Sequence, residues 1–147
     1  YLEESGARYQ WLSHAPAYTS QELAQVEHIS GHNVIKPVLV EADGRMVMCA
    51  LPASKRIDLD RLRDEIKAEN VRLADENEIR DTFAGCEVGA EPPIGPLFGI
   101  PMIMDESLFA DDEVVFQAGT HQDAVKMSFQ DFFRLSKPAI GHFGLPS

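Results

Sequence analysis

Residues 34 to 51 read VIKPVLVEADGRMVMCAL. Two runs rich in β-branched and apolar residues flank Asp43-Gly44, and Asp-Gly between such runs is a strong signal for a tight β-hairpin. The pattern predicts one strand over Val34–Val40 and a returning strand over Met46–Leu51. A lone hairpin cannot bury its apolar face in water, so other elements must cover it. Lys36 and Pro37 interrupt the first strand where a buried strand would carry Val or Ile.

The flanking sequence supplies those elements. Asp58 can cap a helix running to about Glu69, with Leu59, Leu62 and Ile66 on one side. Val71–Leu73 reads as a short strand. Asp75 and Glu78 form a capping-box signature for a helix that turns Ile79 and Phe83 inward and that Gly85 ends. Pro101–Met104 and Glu113–Ala118 read as strands, and Ala124–Ser128 pairs with the latter across Gly119-Thr-His-Gln-Asp. Ser128 and Asp131 open a last helix that buries some of Phe129, Phe132, Phe133 and Leu135. Upstream, Arg8–Ser13 alternates and reads as a strand. Tyr1–Gly6 reads as a helix end, His14-Ala-Pro-Ala as a turn, and Thr19 with Glu22 as the cap of a helix to about His28.

Helices mixed with hairpin-linked strands are not a regular βαβ alternation. The predicted class is α+β: one domain with a curved mixed sheet of six to seven strands, a partial barrel, and helices packed on it. The domain is expected over residues 1–136, with residues 137–147 (KPAIGHFGLPS) as a Pro/Gly-rich tail or linker.

Between the second helix and the next strand lies Gly85–Asp105, GCEVGAEPPIGPLFGIPMIMD. It holds four of the ten glycines and four of the nine prolines. A loop this long inside a compact domain is functional or disordered as a rule. Its prolines and interleaved apolar residues argue for order, so it is expected to shape a pocket.

Composition sets outer limits. The 147 residues are 44% hydrophobic and 25% charged, enough for a single core. No apolar run approaches a membrane span, so no membrane partner is expected. A formal net charge of -11 disfavours wrapping a nucleic-acid backbone, and no DNA partner is expected. It is compatible with touching the tip of a nucleic acid. Cys49 and Cys86 show neither a disulfide framework nor metal-ligand spacing, which fits a reduced, cytoplasmic setting.

Individual residues carry two readings each. Lys36 is, by type, an edge-strand lysine that discourages sheet-to-sheet association, with Pro37 marking the same edge. Alternatively, its half-buried ammonium points into a pocket and stabilises developing negative charge. His121 is a surface turn residue or a catalyst. Cys86 is a buried thiol or a nucleophile without a visible base. The five histidines lack H-x-x-x-H spacing, and no metal or cofactor is expected.

Four blocks in order carry a resemblance: YQWLSHAPAYTSQE, IKPVLVEADGRMVMCALPASKRIDLDRL, GCEVGAEPPIGPLFGIPMIMDESL and DEVVFQAGTHQDAVKMSFQDFFRL. Together they resemble the YbaK/EbsC, or prolyl-tRNA-synthetase-associated, domain of aminoacyl-tRNA editing deacylases. The resemblance implies hydrolysis of the ester between a small amino acid and the 3′ end of a mischarged tRNA, acting in trans. It places the family's lysine on Lys36 and its glycine loop on Gly89, Ala90, Glu91, Pro92 and Pro93. Its Gly-x-His turn falls on Gly119, Thr120 and His121. In such domains the lysine and the first loop glycine serve catalysis, and the remaining residues line the aminoacyl pocket. The implied partners are the tRNA acceptor end and an aminoacyl-tRNA synthetase. Pro37, where relatives often carry Asn or Thr, and Ile94, where Phe is common, depart from the pattern and leave the amino-acid preference open. A non-catalytic aminoacyl-tRNA-binding or regulatory module on the same fold, and a different small-ester or amide hydrolase, remain the alternatives.

Overall fold

The computed structural model describes residues 9–13, 33–87, 90–110 and 112–146. The expected helix end before Gly6, the turn after His14 and the helix capped by Thr19 lie outside them. Among the described residues, ten strands are distributed over three sheets. β2 (Ile35–Ala42) and β3 (Arg45–Pro52) form the predicted hairpin, in register from Ile35–Pro52 to Ala42–Arg45. Asp43 and Gly44 both adopt positive φ, at 50° and 85°, as a two-residue hairpin turn matched to strand twist requires. β5 (Val71–Leu73) flanks β2 antiparallel, while β6 (Met102–Asp105) and β9 (Ala139–Gly141) extend the sheet parallel to β3. The order is β5-β2-β3-β6-β9. β1 (Tyr9–Ser13), β8 (Asp123–Ser128) and β7 (Glu113–Gln117) form a second, antiparallel sheet. β4 (Lys55–Ile57) and β10 (Gly144–Pro146) pair separately. The α+β class thus stands, with its mixed strands in sheets of five, three and two.

The side-chain alternation of the hairpin sorts the core. Ile35, Leu39, Met48, Ala50, Met102 and Met104 project into the main cluster. There they meet Val114, Phe116, Val125 and Met127 of the three-stranded sheet, and Phe129, Phe132 and Leu135 of the last helix. The opposite face, with Val40, Cys49, Leu51 and Ile103, packs on Leu62 and Phe143. Each large apolar side chain fully buried in this way contributes about 1.5–3 kcal/mol. Where the two large sheets meet, Val34, Ala53, Val115 and Ala124 form a small third cluster.

Among the described residues, three α-helices cover the sheets, each started by the residue the sequence nominates. α1 (Leu59–Ile66) begins at Asp58, whose carboxylate accepts from Asp60 and Arg61 N–H. It stops short of the expected Glu69 because Lys67 turns left-handed, at φ 55°. α2 (Glu76–Thr82) carries the full Asp75/Glu78 capping box. Arg72 reaches from β5 to Glu78 at 2.7 and 2.9 Å and to Glu41 of β2, and this contact holds the Glu78 carboxyl down at about 2. α3 (Phe129–Ser136) begins at Ser128, whose hydroxyl accepts from Asp131 N–H. Among the described residues, no helix is long and apolar enough to cross a membrane.

Residues 139–146, expected within a tail or linker, are instead built into the fold. β9 completes the five-stranded sheet, β10 pairs with β4, and Phe143 is fully buried. The cause is Asp105, at the end of β6. Its fully buried carboxylate accepts from Phe143 N–H at 3.0 Å and Gly144 N–H at 2.7 Å, and also from the Ser107 hydroxyl and N–H. Glycine-rich composition conceals this, because the partner lies some 38 residues away in sequence. Burial alone would raise the Asp105 pKa; the Ser107 hydroxyl and the three backbone N–H groups outweigh it and hold the carboxyl below its usual value.

A carboxylate with a depressed folded-state pKa stabilises the fold above its unfolded value, and that contribution is lost as pH falls through the folded one. Asp105→Ala strands two buried N–H groups and should cost on the order of 3 kcal/mol at pH 7 in urea unfolding. Between about pH 4, the unfolded aspartate value, and the lower folded value, wild type should lose stability more steeply than the variant.

Candidate functional site

The glycine loop has no sheet ladder of its own, and its backbone groups need partners elsewhere. It finds them on the turn between β7 and β8. Glu87 N–H donates to Gly119 O at 2.7 Å, and Gly119 N–H donates to Ala90 O at 2.8 Å. Ala90 N–H closes back on Glu87 O at 3.0 Å, and Ile94 N–H on Pro92 O at 2.9 Å. Ala90, Glu91, Pro92 and Pro93 are all buried. Gly119 sits at φ 97°, where side chains are strained, so glycine is needed here for conformation.

The turn is pinned from both sides. The Glu87 carboxylate accepts from His121 N–H at 2.7 Å. The Thr120 hydroxyl donates to Asp123 Oδ2 at 2.6 Å and accepts from Gln122 N–H at 3.2 Å. Asp123 Oδ1 in turn accepts from Trp11 Nε1–H at 3.0 Å. Ala90, Gly119, Thr120 and His121, which the sequence assigns to one site, are therefore brought together, with Glu91, Pro92 and Pro93 next along the loop. Gly89 lies outside the described residues. Sequence reasoning passed over Glu87, Asp123 and Trp11. Glu87 and His121 are 34 positions apart, and nothing in the local pattern announces their bond.

Lys36 arrives from another direction. β2 approaches β7 through one parallel bridge, Val34–Val115, with Val115 N–H on Asn33 O at 3.0 Å. The next rung of a parallel ladder would take the N–H of residue 37 to the Gln117 carbonyl, and Pro37 has none to give. The ladder therefore ends there, leaving the β2 edge open beside the last residues of β7. Lys36 lies on that edge, half-buried, opposite Leu51 in the hairpin register. Burial pushes its ammonium pKa below the ordinary lysine value. No hydrogen bond among the described residues ties Lys36 to the loop or the turn. Its link to them is the Val34–Val115 bridge, which ties the start of β2 to β7, the strand that leads into the Gly119 turn.

The thiols do not offer nucleophiles. Burial pushes Cys49 up to about 12. Cys86 is raised by burial and by nearby Glu91. Neither thiol is shifted toward the reactive thiolate. A concavity of about 560 Å³ lies at the far end of the hairpin, lined by Glu41, Asp43, Arg63, Glu69 and Arg72 among others, and shares no residue with this site.

A family model described as aminoacyl-tRNA editing domain matches residues 14–135. The chain belongs to that family. The match spans Lys36, the glycine loop and the Gly119–His121 turn together. The multifunctional Ser/Thr-tRNA deacylase ProXp-y of Escherichia coli (strain K12) is 24% identical, covering 97% of this chain and 87% of that protein. A proline--tRNA ligase of Dehalococcoides mccartyi is 28% identical over 79% of this chain but 20% of its own length, so the likeness is to one segment of it. Among crystal structures, one of a hypothetical protein superposes with a TM-score of 0.87 at 21% identity, covering 98% of this chain and 96% of the other. One described as a candidate trans-editing enzyme for prolyl-tRNA synthetase superposes with a TM-score of 0.81 at 22% identity, covering 98% and 92%. At such identities the structures establish the shared fold.

If Glu87 holds the editing-domain turn in place, Glu87→Ala should release it without unfolding the protein. Hydrogen exchange at the His121 amide should accelerate about fivefold or more, while amides of the β2–β3 ladder keep their protection.

Proposed function

We propose that the chain hydrolyses the ester linking a small amino acid to the 3′ end of a mischarged tRNA, acting in trans. The observation that supports this best is the family match spanning a loop and a turn that share backbone hydrogen bonds. An aminoacyl ester is already activated, so positioning and charge stabilisation can supply most of what its hydrolysis needs. Water adds to the carbonyl carbon, the negative charge develops on the carbonyl oxygen, and the ester C–O bond breaks. The water's proton passes to the departing ribose oxygen. The Lys36 ammonium stabilises the developing oxyanion. Gly89 gives the backbone close approach to the ester, and Ala90–Pro93 with Gly119, Thr120 and His121 wall the aminoacyl group. Water is the attacking group in this reading, and neither thiol is shifted toward the thiolate that a sulfur nucleophile would need.

The rigid, buried double proline suits a pocket that excludes larger amino acids, which is the second sieve of editing. Serine and threonine head the candidates, being the amino acids named for the Escherichia coli relative. The cytoplasm, where charged tRNA is used, is the expected location. The likeness to a segment of a proline--tRNA ligase makes a synthetase the natural recruiting partner. One feature favours a second reading, a non-catalytic aminoacyl-tRNA-binding module: Pro37 removes a backbone N–H from the rim beside Lys36.

Deacylation time courses with tRNAs carrying serine, threonine, alanine, cysteine or proline separate the two. Wild type should clear one or two of these esters, and Lys36→Ala should slow that reaction about a hundredfold. Inertness of wild type toward all five would favour the binding module, and full activity of Lys36→Ala would remove the lysine from the mechanism. Because the charged ammonium is the working form and its pKa is lowered, the enzymatic rate above background should fall as pH rises. That fall should come at a lower pH than an exposed lysine would give.

A further inference from the structure

We propose that Trp11 is the stacking platform for the unpaired bases at the 3′ end of the tRNA, an inference that rests on the deacylase reading above. Trp11 is the only tryptophan in the chain and is 55% exposed. Single exposed apolar residues are ordinary and need no explanation. This one differs in being oriented. Its register on β1 sets it opposite Val125, and its Nε1–H is fixed on Asp123 Oδ1 at 3.0 Å. The other oxygen of the same carboxylate holds the Thr120 hydroxyl at 2.6 Å. One side chain thus locks an exposed aromatic plate to the middle residue of the Gly119–His121 turn. Phe109, the other exposed aromatic among the large apolar residues, is instead packed against Phe129 and Phe133.

The charge balance says what such a plate would do. With 13 Lys and Arg against 24 Asp and Glu, the chain has little with which to track a phosphate backbone. Single-stranded RNA ends offer a second handle, because their unstacked bases present π-faces to aromatic side chains. A substrate whose reacting ester sits in the pocket carries such unpaired bases immediately beside it. An indole anchored to the pocket turn can hold one of them at a fixed distance from the ester, which is positioning rather than chemistry.

The lone tryptophan makes the test direct. Emission of the wild-type protein is titrated with an uncharged RNA minihelix ending in single-stranded CCA, and with the same minihelix made blunt. Saturable quenching by the first alone is expected; equal quenching by both, or none, would overturn the proposal. This arm needs no hydrolysis, so quenching without turnover would count against the deacylase reading and not against Trp11. Turnover without quenching would do the reverse. In kinetics on the cleared ester, Trp11→Ala should raise KM roughly 5- to 150-fold with kcat within about twofold. Trp11→Phe, which keeps a stacking face, should recover most of that loss. An unchanged KM in folded Trp11→Ala, checked by circular dichroism, would also overturn it.

Discussion

The site depends on two hydrogen bonds made by the backbone of Gly119. Its N–H satisfies Ala90 and its carbonyl satisfies Glu87, so one residue ties the glycine loop on both sides to the β7–β8 turn. A loop with buried residues and no ladder must find such partners or lose the free energy of unpaired polar groups. The bonds require φ near 97°, which in turn requires glycine. The Gly-x-His pattern is therefore mechanical before it is chemical. It positions the loop first, and the backbone N–H of His121 is held on Glu87.

Pro37 acts on the opposite wall. By withholding one N–H it stops β2 and β7 from zipping into a continuous sheet after the Val34–Val115 bridge. An edge position and the proposed pocket role of Lys36 are then compatible. The residue is on an open edge because the ladder stops, and it is half-buried because the neighbouring sheet and core clusters remain close. An ammonium there is partly desolvated, which lowers its pKa and strengthens its field on whatever enters the gap.

What the sequence revealed was whatever could be settled within a few residues. The three described helix starts follow from Asp58, Asp75 with Glu78, and Ser128, each acting on N–H groups two or three positions away. The Asp43-Gly44 turn is equally local. What it concealed was set by distant partners. Residues 139–146 look like a linker because their order comes from Asp105 and from burial of Phe143, not from their own pattern. The division into three sheets depends on where pairing stops, which a strand's own residues signal only at Pro37. At the site, the residue types of Lys36, the loop and the turn were legible through resemblance. Glu87 and Asp123, which do the holding, were not, since an acidic residue in a loop reads as solvated whether or not it caps something across the fold.

The acidic balance of the chain bears on how an RNA end could be admitted to such a site. At physiological salt the Debye length is about 8 Å, so scattered surface carboxylates act mainly on what comes close. The body of a tRNA laid along this surface would meet that repulsion over many phosphates. An end-on approach exposes few phosphates and brings the tip within range of Lys36, where partial burial weakens screening. Net negative charge and one desolvated cation are then complementary. Under the proposed deacylase reading, the first suppresses unproductive side-on binding, and the second rewards an approach that brings the ester to Lys36.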